Sequence, residues 1–296
     1  MLDLVHLRSF VMVATELHFG RAAQRLNMTQ PPLSRQVQLL EAEIGAPLFV
    51  RANRAVRLTA AGHALLPEAR SLLQRTEAAA QIARRAASTP GGEVTVGFIG
   101  ASTYGFLPRL VSRARAELPD VELQFRELSS VEQHEALLLN RIDIGLARPV
   151  PEHAGIGSDC VQREGLALAL PLDHPLAVRR RPVLRQIDGE PFIMYSQEGR
   201  YLHDLIRGAF LASRVQPRLV QHMSHAQAIL SLVSTGMGLA IVPEEARNAC
   251  FDNVVFRPIS LGAGIAVELH AVWRTEDCAP ALSAVRDLIR RIGDKR

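Results

Sequence analysis

The run TQPPLSRQVQ, residues 29–38, carries side chains whose types and spacing suit the reading of nucleic-acid bases. Proline is tolerated in a helix only in the first turn, where its missing N–H has no partner to lose. Pro31 and Pro32 therefore mark a helix N-terminus, with Thr29 available as its cap. Leu33, Val37, Leu40 and Ile44 then recur at helical spacing and form one apolar face. Gln30, Ser34, Arg35 and Gln38 are left pointing outward. A short polar edge of this kind fits a helix lying in the major groove, where arginine grips guanine and glutamine grips adenine. The alternative is a plain solvated helix face.

Other stretches with chemical promise do not hold up. GASTYG, from Gly100 to Gly105, has the spacing G-x-S-x-x-G, whereas a hydrolase nucleophile turn needs G-x-S-x-G. GMGLAI and GAGIAV lack the third glycine of a dinucleotide loop. His153 and His174 follow Glu152 and Asp173, but neither pair has metal-ligand spacing. Cys160, Cys250 and Cys278 are odd in number and far apart, which fits free thiols in a reducing compartment and neither a disulfide framework nor a zinc site. No enzyme, no metal and no resident cofactor are expected.

The elements that must position the polar edge fall into three sections, and 296 residues suffice for two or three domains. Residues 1–60 read as helix, turn, helix, turn, helix, then a hairpin-like PLFVRANRAVRLT with Arg51, Arg54 and Arg57 in seven residues. In the second of these helices Phe19, Ala22, Ala23 and Leu26 share one face. Residues 61–88 form a long Ala- and Leu-rich helix that Thr59 can cap. Its Leu65, Ala69, Leu72, Thr76, Ala79, Ala83 and Ala86 advance alternately by four and three, a heptad seam of the kind two helices share. The alternative is an amphipathic helix packed on its own domain. STPGG, Ser88 to Gly92, ends the helix as a hinge. Residues 89–296 alternate short apolar runs with helical periods, which predicts parallel sheets in an α/β fold of two lobes. Ligands bind such sheets at the carboxyl ends of strands.

Charge divides the same way. Residues 1–87 hold eleven arginines against six acids, a surplus of five on a chain whose net charge is +4. A basic N-terminal third on a near-neutral body points to a polyanionic partner for that part alone. No apolar run is long enough to span a membrane, and MLDLVHLRSF does not read as a signal peptide, so a cytoplasmic protein is expected.

FGRAAQRLNMTQPPLSRQVQLLEAEIGAPLFVRANRAVRLTAAG closely resembles the N-terminal signature of LysR-type transcriptional regulators. The likeness lies in the Ala-Ala helix, TQPPLSRQ, the Leu-Glu pair, Gly45 followed by PLFVR, and LTAAG. LPDVEL, IDIGLA, HPLA and GMGLAIVP further resemble parts of that family's effector domain. The resemblance implies a winged helix-turn-helix, a dimerising linker helix and a two-lobed domain like the periplasmic binding proteins. Its lobe I would span about 92–161 and 268–296, and its lobe II about 162–267. It also implies an activator that sits as a dimer of dimers on double-stranded promoter DNA, beside RNA polymerase, and answers to a small molecule. TQPPLSRQ, GFIGASTYGFLP and GLARP look like the branch that governs aromatic-acid catabolism, whose inducers are muconates and related acids.

For DNA the resemblance implies Thr29, Gln30, Pro31, Pro32, Ser34, Arg35 and Gln38, with Arg51 and Arg54 of the wing on phosphate or the minor groove. For the inducer it implies Ala101, Ser102 and Thr103 after the first strand, Ser130 at a helix start and Arg148 at the strand end GLARP. Gly199, Arg200, Tyr201, Leu202 and Gln227 come from the second lobe, with Arg200 a departure from the family pattern. Hydroxyls and free N–H groups at helix starts, together with Arg148, favour a carboxylate. For Arg148 the alternative is a surface ion pair with Glu152 or a neighbour, and for Tyr201 it is plain packing. Two other functions stay in view: a constitutive regulator without a ligand, and a small-molecule receptor, which the absence of an export signal disfavours.

Overall fold

The computed structural model describes residues 2–52, 55–88, 91–151, 153–197, 200–262 and 264–293, with backbone alone for 51, 52, 55, 78 and 81–88. Contacts divide the chain into two units, Met1–Ala87 and Ser88–Arg296. Arg54, Gly199, Glu152 and the hinge residues Thr89 and Pro90 lie outside the described residues, as does the side chain of Arg51.

The first unit opens with α1 (Leu4–Glu16), α2 (Phe19–Arg25) and α3 (Gln30–Ile44). The turn between α2 and α3 runs through Asn27 at φ 52°, a left-handed conformation that asparagine tolerates. Leu33, Val37 and Leu40 of α3 are fully buried against Leu7, Phe10 and Val13 of α1. Each such burial stabilises by ~1.5–3 kcal/mol. Thr29 stands at the N-cap position of α3 but makes no capping hydrogen bond, contrary to expectation. The two N–H groups that a capping side chain would bind belong to the second and third helical residues, here Pro31 and Pro32, and neither proline has one.

A hairpin follows, β1 (Phe49–Ala52) antiparallel to β2 (Ala55–Leu58), and then α4 (Ala60–Ser88). The motif residues of this region converge on Leu48. The Glu41 carboxylate accepts from the N–H of Leu48 at 2.8 Å and of Phe49 at 3.2 Å. The Leu48 carbonyl accepts from Thr59 N–H at 3.0 Å. Thr59 in turn donates to Pro47 O at 2.7 Å and caps α4 by accepting from Gly62 N–H at 3.0 Å. A Cβ on Gly62 would lie 2.3 Å from that same Leu48 carbonyl oxygen, so only glycine lets the helix approach the wing this closely.

The proposed heptad seam on α4 divides in two. Ala69 is fully buried in the first unit's own core and Leu65 packs against it, so these two positions do what the packed-helix alternative describes. Leu72, Thr76 and Ala79 are exposed, and the side chains of Ala83 and Ala86 lie outside the described residues.

The second unit contains β3 (Glu93–Phe98), α5 (Phe106–Glu117), β4 (Glu122–Glu127), α6 (Ser130–Leu138), β5 (Ile144–Ala147), β6 (Ile156–Glu164), β7 (Leu166–Pro171), β8 (Pro191–Tyr195), α7 (Arg200–Ser213), β9 (Arg218–Met223), α8 (Ala226–Val233), β10 (Ala240–Pro243), β11 (Val254–Ile259), β12 (Val267–Arg274) and α9 (Pro280–Gly293). One sheet has the order β4-β3-β5-β12-β6. The other lobe has β10-β7-β11 and the pair β8-β9, joined by a parallel bridge between Phe192 and Leu239.

The sheets are mixed, which corrects the expectation of parallel sheets. β3 pairs in parallel with β4 and β5, and β8 with β9, but β12 runs antiparallel to β5 and β6, and β7 to β10 and β11. The reason lies in how the chain changes lobes. It crosses directly from β6 into β7 through Gly165 and returns into β12, so β6 and β12 are neighbouring strands with Glu164 opposite Val267. The strand of the first lobe thus runs to Glu164, past the boundary at 161 expected from the sequence. Replacing Gly62 by alanine is expected to destabilise the first unit by ~1–3 kcal/mol through this forced contact, read as a lower urea midpoint of the helical signal.

Candidate functional site

The outward edge of α3 is open. Thr29, Gln30, Pro31, Pro32, Arg35 and Gln38 are exposed and Ser34 is half-buried, while the opposite face is sealed by Leu33, Val37 and Leu40. Arg35 has no ion-pair partner among the described residues, in contrast to Arg21 and Arg25, which both pair with Glu16. The helix cannot roll about its axis. Its apolar stripe is buried, Ser9 donates to Gln36 Oε1 at 2.6 Å, and Glu41 is tied to the wing. Unpaired guanidinium and carboxamide groups on a fixed helix edge can form bidentate hydrogen bonds with base edges. Arg57 of β2 is exposed as well.

In the second unit the ligand residues expected from the first lobe stand at the carboxyl ends of β3, β4 and β5. A 3-10 turn, Gly100–Tyr104, follows β3. Ser102 is buried and its hydroxyl donates to Ile99 O at 2.8 Å; Thr103 donates to Gly100 O at 2.5 Å. Both hydroxyl protons are therefore engaged by the turn itself. Ala101 is half-buried, and Thr103 also lines a surface depression of about 520 Å³ on α5 with Leu107, Pro108 and Val111. Ser130 is the first residue of α6, and its hydroxyl oxygen accepts from the Arg148 N–H at 2.9 Å. Ser129, not Ser130, caps that helix, through a reciprocal pair with Glu132.

Arg148 is buried, so the surface ion pair considered from the sequence is not what the structure shows. Its guanidinium spans the two crossing strands: one nitrogen donates to Glu268 O at 2.7 Å and another lies 3.5 Å from Glu164 Oε1. Its Nε is buried without a hydrogen-bond partner. Glu164 is held by the Glu245 N–H at 2.9 Å, and burial pushes its carboxyl above the usual carboxylate range against the opposing pull of Arg148. Arg109 of α5 bridges Glu245 at 3.1 Å and Gln162 at 2.8 Å. Gly105 is what allows Glu245 in, since a Cβ there would come within 2.4 Å of its carboxylate.

From the second lobe, Tyr201 accepts from Glu268 N–H at 3.1 Å and Leu202 is buried in the lobe's core. Arg200 and Gln227 are exposed. Tyr195, which sequence reasoning missed, ends β8; its hydroxyl is buried with no partner, and burial pushes it far above its ordinary pKa, with Arg148 opposing. The signal was there in PFIMYS, an apolar strand ending on a polar-tipped residue at its carboxyl end. Glu164, Gln162, Arg109, Glu245 and Glu268 were also missed, because nothing local in the sequence brings these positions together.

The comparisons with known proteins cover both units. The family described as bacterial regulatory helix-turn-helix protein, lysR family, matches residues 4–63, and the LysR substrate binding domain matches residues 87–293. The HTH-type transcriptional regulator AlsR of Bacillus subtilis (strain 168) is 37% identical over 274 residues, 92% of this chain and 89% of that protein. The probable cat1 operon transcriptional activator of Acinetobacter lwoffii is 36% identical over 293 residues, 98% of this chain and 96% of that protein. Full-length CbnR, solved in complex with its target DNA, superposes with a TM-score of 0.80 at 29% identity, over 98% of this chain and 100% of that one. No helix among the described residues is long and apolar enough to cross a membrane. A lysR-family helix-turn-helix in one unit and a LysR substrate binding domain in the other thus place this chain in the LysR family, as a DNA-binding transcriptional regulator and not an enzyme.

Proposed function

We propose that Gln30, Ser34, Arg35 and Gln38 read base edges in the major groove of promoter DNA. Thr29, Pro31 and Pro32 bring the start of α3 against the backbone, and Arg51 and Arg54 of the wing take phosphate or the minor groove. The exposure of the α3 edge supports this, as does the CbnR structure solved with its target DNA. The exposed positions Leu72, Thr76 and Ala79 on α4 support self-association, a dimer of dimers in this reading. The protein acts in the cytoplasm as an activator beside RNA polymerase, within aromatic-acid catabolism. The names of two relatives support that branch: the probable cat1 operon transcriptional activator and the Hca operon transcriptional activator HcaR of Escherichia coli (strain K12).

The inducer in this reading is a small aromatic or dicarboxylic acid. The observation that carries it is the pair of buried, unmatched polar groups, Arg148 Nε and the Tyr195 hydroxyl. A buried donor without an acceptor is costly, and a carboxylate would satisfy both. Ser130 retains its hydroxyl proton for the same anion, because it accepts but does not donate in its contact with Arg148. In this reading the anion is also approached by Ala101, Ser102 and Thr103 of the 3-10 turn, by Arg200, Tyr201 and Leu202 at the start of α7, by Gln227 of α8, and by Gly199. One observation favours a regulator that acts without a ligand: Glu164 already lies beside Arg148.

Two experiments test these readings. On duplexes selected by the protein itself, Arg35→Ala is expected to weaken specific binding by ~1–3 kcal/mol and relax preference at one base pair. Arg54→Ala is expected instead to weaken all sequences alike and to lower the salt slope by about one; identical effects of the two changes contradict the assignment. In calorimetric titrations with benzoate and cis,cis-muconate, at least one acid is expected to bind the wild-type protein. Tyr195→Phe is expected to weaken that binding by ~0.5–1.5 kcal/mol without loss of stability, since the hydroxyl it removes is unsatisfied. Binding of neither acid, or equal binding by wild type and variant, contradicts the inducer reading.

A further inference from the structure

The outer face of the β6–β12 pair carries a cluster that the DNA- and inducer-binding readings leave unused. Cys160, Glu268 and His270 each present one donor atom, and the three atoms lie within 4.8 Å of one another. Their convergence is a product of the strand register. Leu269 stands opposite Gln162 and His270 opposite Cys160, so Val161 is an extra residue bulged out of β6. Without that bulge His270 would face Val161, a buried apolar residue, and the thiol would sit on the wrong position.

The immediate surroundings are arranged for ligation. Glu268 Oε1 is held by Arg163 Nε at 2.8 Å, which leaves Oε2 to face His270 Nε2 at 3.0 Å. The other ring nitrogen of His270 lies 2.8 Å from Ser158 Oγ. A serine hydroxyl can donate or accept, so it stabilises whichever tautomer the ring adopts. With Nδ1–H donating to Ser158, Nε2 keeps its lone pair free beside Glu268 Oε2 and the Cys160 sulfur. Cys160 is a free thiol and exposed, so an ion can reach it from solvent.

We propose that Cys160, Glu268 and His270 form a binding site for a zinc-like divalent cation, with water in the fourth position. The donor set is sulfur, imidazole nitrogen and one carboxylate oxygen. It selects a borderline cation over magnesium or calcium, which take oxygen ligands. On binding, the thiol proton of Cys160 leaves to solvent, while the neutral ring of His270 ligates through Nε2 and keeps its one proton on Nδ1 toward Ser158. Ser158 and Arg163 orient two of the ligands from behind. The wide spacing of the cysteines excludes a cysteine-built zinc site, but the fold supplies one cysteine together with partners more than a hundred residues away in sequence. Glu268 also offers its main chain to Arg148 and Tyr201, so an ion on its side chain would sit one residue from the proposed inducer groups.

The test uses tag-free full-length protein, reduced, with no organic acid present, so its result is independent of the inducer reading. Calorimetry with zinc alone is expected to show one site per chain and no comparable heat with magnesium. Cys160→Ser, His270→Ala and Glu268→Gln are each expected to weaken zinc binding more than about 100-fold, and Ser158→Ala about tenfold. Cobalt in place of zinc is expected to give a thiolate charge-transfer band that persists in Cys250→Ser and Cys278→Ser and is lost in Cys160→Ser. Circular dichroism establishes that each variant is folded. Equal zinc affinity in wild type and Cys160→Ser, or a cobalt spectrum without the thiolate band, overturns the proposal.

Discussion

The burial of Leu33, Val37 and Leu40 is the constraint on which the first unit depends. Three apolar side chains with no exposed surface fix the rotation of α3 about its axis, and that rotation decides which residues meet the solvent. Glu41, one residue beyond Leu40, makes the same helix the anchor of the wing through two main-chain N–H groups of residues 48 and 49. Hydrogen bonds to a charged acceptor are worth roughly 1.5–3 kcal/mol each, enough to hold helix and hairpin in one geometry. The outward edge of α3 is therefore held in one orientation by the core and the wing.

The second unit rests on a different device. Two adjacent strands, β6 and β12, carry the chain between lobes, and Arg148 spans both of them from the end of β5. A guanidinium in that position ties the two crossing strands to the end of β5. Its pairing with Glu164 is a poor one by distance, and the buried carboxyl is held above its usual range by desolvation. A buried ion pair contributes little net stability, yet removing one partner costs about 3–5 kcal/mol. That asymmetry suits a site in which an incoming anion competes with Glu164 for the same arginine.

Much of this was legible in the residues. Pro31 and Pro32 announced the start of α3, and the 3.6-residue spacing of Leu33, Val37 and Leu40 announced its buried face. GLARP placed Arg148 at a strand end, where it stands. Some elements carried by long-range pairing were not legible: β6, β9 and β11 do not alternate cleanly enough to read without a partner strand, whereas Val267, Leu269 and Ala271 of β12 and Leu282, Val285, Ile289 and Ile292 of α9 do keep strand and helix spacing. β6 shows why, since its bulge at Val161 breaks the two-residue period. Thr29 failed as a cap for a reason visible in the sequence, the absence of two N–H groups. Leu65 and Ala69 obeyed the heptad period but pack on their own domain, because periodicity gives the face of a helix and not what covers it. Glu164, Glu245 and Arg109 could be found only in three dimensions.

In the proposed reading the outward edge of α3 touches the major-groove edges of base pairs. Replacing single guanines of a selected binding site by 7-deazaguanine removes one major-groove acceptor and leaves the phosphates and the minor groove unchanged. At the guanine that Arg35 reads, the replacement is expected to weaken wild-type binding by roughly tenfold and to leave the already weakened Arg35→Ala protein unaffected. If every such replacement weakened the two proteins equally, or neither, Arg35 would not be in the groove and the account would fail.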